Sequence, residues 1–202
     1  AKGGPVVGIL PGSRNQEVRD NFAIMASAAK RIREAVPGVR FIVASFNELQ
    51  AQIVREQLAA NGLDAEIHVG RTPEIIELAD VCVAVSGSVG LEMMYRLTPA
   101  VVVYKVIPLG WFLARKVFMM CKYVSLVNLL ADDEVFPEFF SYRDESAGIA
   151  EQTIRLLTNA NVRAEVRAKL QAVRDRVALP GATERAARYL AESVKLKPTA
   201  SI

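Results

Sequence analysis

Two short segments hold the residues best suited to chemistry. In Leu10-Pro11-Gly12-Ser13-Arg14, a glycine lets a ligand approach the backbone, a serine offers a hydroxyl, and an arginine offers a planar guanidinium fork. The residues after Arg14 read as a helix start, whose free amides and positive dipole end favour an anion. Ser86-Gly87-Ser88-Val89-Gly90-Leu91-Glu92 repeats the theme. Its small residues leave room for phosphate oxygens against a second helix start. Glu92, one turn further on, can accept hydrogen bonds from the vicinal hydroxyls of a ribose. Neither segment is Gly-x-Gly-x-x-Gly or a Walker loop. Each also has a plainer reading, a strand–helix turn with a solvated arginine and a close helix–sheet contact with an acid near a helix start. Together they point to a nucleotide site built from Gly12, Ser13, Arg14, Ser86, Gly87, Ser88 and Glu92.

Other candidates carry less. His68 is the only histidine, and its place between Ile67 and Val69 in an apolar run reads as a sheet residue. One histidine supports neither a Ser-His-Asp triad nor a metal cluster, so no metal and no cofactor is expected. Asp132-Asp133-Glu134 reads as a solvated turn. Asn128 lies in Val124-Ser125-Leu126-Val127-Asn128-Leu129-Leu130, an apolar setting in which its amide must find partners, either a ligand or the backbone. The stretch from Pro108 to Lys122 is strongly apolar, with Trp111, Phe112 and Phe118 punctuated by Arg115 and Lys116. It fits an interfacial membrane helix, or a buried helix whose cations snorkel.

The elements that must position these residues can be read from hydrophobic patterning. Continuous apolar runs at 6–10, 40–44, 66–69, 81–85 and 100–104 read as buried strands. Helical periodicity separates them, over 13–36, 48–60, 72–79 and 91–97. Ser13 with Gln16 fits a capping box for the first helix, and Thr72-Pro73-Glu74 fits an N-cap followed by proline and an acid. Alternation of this kind predicts an α/β fold, a parallel sheet covered on both faces by helices and joined by right-handed crossovers. The last hundred residues differ, with an irregular segment to about Asp144 and helical patterns near 146–157, 162–177 and 183–194. The expected division is a ligand-binding unit over 1–145 and C-terminal helices over 146–202 that pack on it or cross away.

Composition narrows the class. The 202 residues carry 25 Lys plus Arg and 22 Asp plus Glu, a net charge of +3 that is too mild for a dedicated nucleic-acid binder. Hydrophobic residues make up 51%, which excludes a disordered chain. Two cysteines, Cys82 and Cys121, without zinc-site spacing read as reduced thiols, which favours the cytoplasm. No signal-peptide pattern opens the chain, and no run of 18 apolar residues spans a membrane. The first residues, Ala1-Lys2-Gly3-Gly4-Pro5, stand almost directly before a strand and lack an initiator Met, as a piece of a longer protein would.

Four motifs then form a recognisable order. They are Leu10-Pro11-Gly12-Ser13-Arg14 with Glu17-Val18, Ser86-Gly87-Ser88 with Leu91-Glu92, Tyr123 to Ala131, and Val135-Phe136-Pro137-Glu138-Phe139. In this order and spacing the chain resembles the C-terminal half of the lipid-A-disaccharide synthases, from Val6 to about Leu190. The resemblance implies one Rossmann-like half of an inverting, membrane-associated glycosyltransferase of the two-domain GT-B type, with a C-terminal helical extension. It implies a hexosyltransferase of lipid A and lipopolysaccharide biosynthesis. That enzyme would move 2,3-diacylglucosamine from UDP-2,3-diacylglucosamine to lipid X, giving tetraacyl-disaccharide 1-phosphate and UDP. Ser13 and Arg14 would face the diphosphate, Ser86 to Ser88 would hold it, Glu92 would take the ribose diol, and Thr72 in Gly70-Arg71-Thr72 would lie near uracil. Asn128 matches an active-site asparagine of the family, so Arg14 and Asn128 are its catalytic candidates here. The family's base, an aspartate, belongs to the N-terminal GT-B domain, the missing partner.

The resemblance carries further expectations. The protein would be peripheral on the cytoplasmic face of the bacterial inner membrane, with Trp111, Phe112, Arg115, Lys116 and Phe118 touching lipid. A homodimer is one of its expected assemblies, nucleic acid is not a partner, and the 202 residues alone would bind donor without turnover. Two departures stand out. Ser88 replaces the usual threonine, and Phe139-Phe140-Ser141 stands where the family has Leu-Leu-Gln. The rival readings are the half of another UDP-sugar glycosyltransferase or epimerase of the same fold, and a non-catalytic nucleotide-binding or membrane-docking module.

Overall fold

The computed structural model describes residues 3–106 and 122–195. Its centre is a sheet of six strands, β1 (Val6–Leu10), β2 (Arg40–Ser45), β3 (Glu66–Val69), β4 (Val81–Val85), β5 (Ala100–Lys105) and β6 (Glu138–Ser141). The order across the sheet is β3-β2-β1-β4-β5-β6, and every neighbouring pair is parallel. β1 therefore lies between β2 and β4, in register at Val7 with Phe41 on one side and Val81 on the other. The order reverses at β1, and the loops leaving β1 and β4 diverge there and open a crevice.

Both faces of the sheet are covered at its centre, which is why β1 and β4 are apolar at every position and not at alternate ones. Val7, Ile9, Val81, Val83, Val101 and Val103 point to one face, against α1 (Asn15–Ala35), α2 (Glu48–Asn61) and α6 (Ser146–Thr158). Ile42, Ala44, Cys82, Ala84 and Val102 point to the other, against α3 (Thr72–Leu78), α4 (Val89–Arg96), α5 (Leu126–Ala131) and α7 (Ala160–Val177). Phe22 and Ile149 complete the first core, and Phe136 and Leu170 the second. Gly8 of β1 keeps α3 close. A Cβ there would stand 3.1 Å from the Cys82 sulfur and 3.2 Å from Ile75. The last helix, α8 (Ala182–Lys195), is amphipathic and exposed, with Tyr189 and Leu190 in solvent.

Long-range polar contacts fix the loops. Buried Asn21 donates its amide to the Glu17 carbonyl at 2.8 Å and accepts the Lys105 amide at 2.8 Å, joining α1 to the end of β5. Asp80 accepts from the Val6 amide at 2.9 Å, where β1 begins.

The five strands expected from apolar runs appear within a residue of their expected bounds, whereas β6 and α5 arise inside the segment expected to be irregular. β6 has four residues, each half-buried, at the sheet edge. α5 has six residues, too few for a periodic signal. Two caps also differ from expectation. α1 is capped by Arg14, not Ser13, and the carboxylate of Glu17, not the amide of Gln16, accepts the cap's N–H, at 3.3 Å. A carboxylate gains more than an amide at the positive end of a helix; Gln16 turns to Asp20 instead, at 3.0 Å. α3 is capped by Arg71, and Thr72 is its first residue. α4 begins at Val89, two residues earlier than expected.

Candidate functional site

Parallel strands deliver their C-terminal loops to one edge of the sheet, and the loops following β1, β3 and β4 meet there. A cavity of about 310 Å³ lies between them. Gly12, Ser13 and Arg14 line it from the β1 loop, Ser86, Gly87 and Ser88 from the β4 loop, and Thr72 from the start of α3. Seven of the eight residues assigned to nucleotide binding from the sequence are thus in one place.

Local chemistry explains the shape of each wall. Gly12 holds φ at +131°, a conformation that a side chain rarely adopts, and a Cβ there would come within 2.9 Å of the Glu17 Cβ. Ser13 and Arg14 are exposed at the mouth. The α1 N-terminus begins directly after them, so its free amides face the cavity edge. On the opposite wall, Ser88 caps α4 without using its hydroxyl. The Ser86 hydroxyl donates to the Val124 carbonyl at 3.4 Å. The site therefore offers two helix starts, a guanidinium and three serine hydroxyls to a ligand rich in oxygen anions.

Glu92 is placed differently. It accepts from the Arg96 guanidinium at 3.2 Å and is not among the cavity-lining residues. Arg96 is shared with Glu77 at 2.8 Å, and the Glu77 hydrogen bond, ahead of Glu92, holds the Arg96 guanidinium above its usual pKa. Reaching a ribose would require Glu92 to release Arg96, which retains Glu77.

Asn128 is fully buried, and all four of its side-chain hydrogen-bonding positions are filled from within the chain. Its amide donates to the Phe136 carbonyl at 2.7 Å and to the Glu138 carboxylate at 2.8 Å, and its oxygen accepts the Val135 and Phe136 amides, each at 2.9 Å. Glu138 also accepts from the Val124 and Ser125 amides, at 2.7 and 2.8 Å. Asn128 and Glu138 thereby tie α5 and the approach to β6 to the segment that touches Ser86. Of the two roles open to Asn128 in the sequence, the geometry displays the backbone one.

Three residues that the sequence reading did not assign belong to this site. Glu17 lines the cavity and pairs with Arg14 at 2.7 Å. Phe46, directly after β2, lines it with a side chain 71% exposed. Gln50, buried in α2, accepts the Phe46 amide at 3.0 Å and donates to the Ser13 carbonyl at 2.9 Å, bracing the β2 loop against the β1 loop. A phenylalanine set among Ser45, Asn47 and Glu48, just past the apolar run of a strand, was the available signal for Phe46. Nothing in the spacing marks Gln50.

His68 lies on edge strand β3, half-exposed and 3.7 Å from Glu66. The Arg40 hydrogen bond draws the Glu66 carboxyl below its usual pKa. Cys82 is a free, buried thiol, and desolvation pushes it up to about 12. Trp111, Phe112, Arg115, Lys116, Phe118 and Cys121 lie outside the described residues. Among the described residues no helix is long and apolar enough to cross a membrane, and no group of three or more His, Cys, Asp or Glu side chains is placed to hold a metal ion.

Comparison with known proteins bears on the whole of this arrangement. The model of the lipid-A-disaccharide synthetase family matches residues 2–192. A lipid-A-disaccharide synthase of Geobacter sulfurreducens is 30% identical over 93% of this chain and 48% of its own length. Those of Gloeothece citriformis and Myxococcus xanthus are 30% and 31% identical, covering 93% and 95% of this chain and 49% and 50% of theirs. The chain thus spans about half the length of the curated relatives it matches. Among solved structures, WaaG, a glycosyltransferase involved in lipopolysaccharide biosynthesis, superposes with a TM-score of 0.59 at 15% identity, over 93% of this chain and 47% of that one. The GtfA/B complex gives 0.61 at 11% identity, over 97% and 37%. TarM of S. aureus, solved with UDP, gives 0.57 at 13%, over 87% and 33%. The fold is the Rossmann-like half of a GT-B glycosyltransferase, with C-terminal helices added.

Proposed function

The chain belongs to the lipid-A-disaccharide synthetase family, and from that membership we propose that it is the donor-binding half of a glycosyltransferase of lipid A biosynthesis. The donor is UDP-2,3-diacylglucosamine and the acceptor is lipid X. The acceptor hydroxyl loses its proton and attacks the anomeric carbon with inversion. The bond from that carbon to the β-phosphate oxygen breaks, and UDP leaves with the electron pair. The observation that carries this reading is the meeting of the Ser13–Arg14 and Ser86–Ser88 loops in one cavity at the point where strand order reverses.

In this reading each group has a task. Arg14 and the α1 and α4 amides compensate the charge that grows on the departing diphosphate. Ser86 to Ser88 hold the phosphate oxygens, Thr72 and its loop lie beside the base, and Glu92 turns from Arg96 to the ribose diol. Asn128 acts through the Glu138 network, keeping the Val124–Ser125 backbone against Ser86. The unit over 1–145 binds the nucleotide sugar, and the helices of 146–202 support it. The base that takes the acceptor proton belongs to the half of the relatives that this chain does not match, so the 202 residues bind donor without transfer. Trp111, Phe112, Arg115, Lys116 and Phe118 would hold the protein at the cytoplasmic face of the inner membrane, close to its lipid substrates.

Calorimetric titration of the chain with UDP tests the reading. A micromolar Kd, corresponding to about −8 kcal/mol of binding and clearly weakened in Arg14→Ala, is the expected result. A folded chain that takes up no UDP and gains no affinity from an added N-terminal half would overturn it.

A further inference from the structure

Phe46 occupies an unusual position. It directly precedes Asn47, the N-cap of α2, whose side chain accepts the Gln50 amide at 3.0 Å. An apolar residue in this place commonly packs on the fourth residue of the helix. Here that residue, Ala51, is fully buried, yet the Phe46 ring remains 71% exposed and faces the cavity. Its backbone, by contrast, is fixed. The Phe46 amide donates to Gln50, the same Gln50 side chain holds the Ser13 carbonyl, and the preceding Ser45 carbonyl accepts from the Gly70 amide at 2.9 Å. An exposed aromatic residue on a fixed backbone thus stands beside the anion-binding loop.

The strand order says which part of a ligand meets it. The phosphate-suited loops follow β1 and β4, whereas Phe46 follows β2 and Thr72 follows β3, on the far side of β1 from β4. With the diphosphate between Ser13–Arg14 and Ser86–Ser88, a nucleoside running toward β2 and β3 brings a flat π-face to Phe46. A polar edge then lies beside the Thr72 hydroxyl. We propose that the Phe46 ring is a stacking platform for the nucleobase of the nucleotide held in this cavity, which rests on the donor-site reading above and adds to it a residue that takes the face of the base. Stacking on an aromatic ring tolerates any planar base and needs no hydrogen bond.

The test is calorimetric titration of the intact chain and its variants with UDP and, separately, inorganic pyrophosphate, with circular dichroism as the check on folding. Phe46→Ala and Phe46→Leu are expected to weaken UDP by about tenfold and leave pyrophosphate unchanged, while Phe46→Tyr keeps wild-type affinity for both. Full UDP affinity in Phe46→Ala alongside weakened binding of both ligands in Arg14→Ala overturns the platform and leaves the donor site standing. Full affinity in Phe46→Leu reduces the ring to an apolar contact, and equal weakening of both ligands in Phe46→Ala makes it a structural residue. Either result overturns the proposal. A folded wild-type chain that binds neither ligand, with or without an added N-terminal half, overturns the donor site and the platform together.

Discussion

Arg14 and Glu17 are joined twice. The guanidinium donates to one carboxylate oxygen at 2.7 Å, and the Arg14 backbone amide donates to the other at 3.3 Å. The carboxylate therefore occupies the start of α1, the place an anionic ligand would take. Arg14 itself remains 80% exposed and able to swing. Glu17→Gln keeps an acceptor for the amide and removes the charge. Pyrophosphate affinity should rise by about two- to fivefold at low salt, with the gain shrinking as added salt screens the site. A fall in affinity would instead assign Glu17 the task of aiming Arg14.

Arg14→Ala removes the only guanidinium among the cavity-lining residues. A charge-assisted hydrogen bond contributes about 1.5–3 kcal/mol, so UDP binding should weaken by roughly 10- to 100-fold. The side chain is exposed, and the melting temperature should move by no more than about 2 °C. Calorimetry and thermal melts on the same sample check both.

Glu92 leads to a prediction about ligand chemistry. If it leaves Arg96 for the ribose diol, wild-type chain should prefer UDP to 2′-deoxy-UDP, and Glu92→Ala should abolish the preference by weakening UDP alone. Identical discrimination in wild type and variant would leave Glu92 with Arg96 as its sole partner.

The sheet and the two loops were legible because each rests on a local signal. Val81–Val85 is an unbroken apolar run, and Gly12-Ser13-Arg14 and Ser86-Gly87-Ser88 are small and polar where a strand must hand over to a helix. The features that escaped depend on contacts across the chain. Glu138–Ser141 is a strand only because β5 offers it an edge, and its alternation is too short to show. Ser13 and Gln16 matched a capping box, yet one residue along, Arg14 and Glu17 matched a stronger one, and charge decided between them. Gln50 joins the site through a hydrogen bond to Ser13 that spans 37 residues, and Phe46 is held there by its own bond to Gln50, which no periodicity reports.

Asn128 should prove costly to alter. Asn128→Ala orphans the Phe136 amide and carbonyl in a buried setting, while the Val135 amide keeps the Asp133 carbonyl, a loss of about 3 kcal/mol or a fall of roughly 6–12 °C in melting temperature for a chain of this size. Asn128→Asp should do comparable harm by setting a second carboxylate against Glu138. Thermal melts decide, and a shift under about 2 °C would show that the network is dispensable.

Gly12→Ala tests the shape of the β1 loop. The positive φ and the approach to Glu17 together predict a loss of about 1–3 kcal/mol, with weaker pyrophosphate binding because Glu17 and its partner Arg14 must shift. Unchanged melting and binding would mean that the loop relaxes freely.

Asn21 finally makes two distant places mechanically one. Its amide group is rigid and sealed from water, with the first turn of α1 on its donor side and the end of β5 on its acceptor side. A pull that lifts Lys105 from its position must either drag the Glu17 turn along or leave a buried amide unpaired, at about 1–3 kcal/mol. Whatever force enters at the end of the fifth strand is thus delivered, as through a short rod, to the turn from which Glu17 grips Arg14.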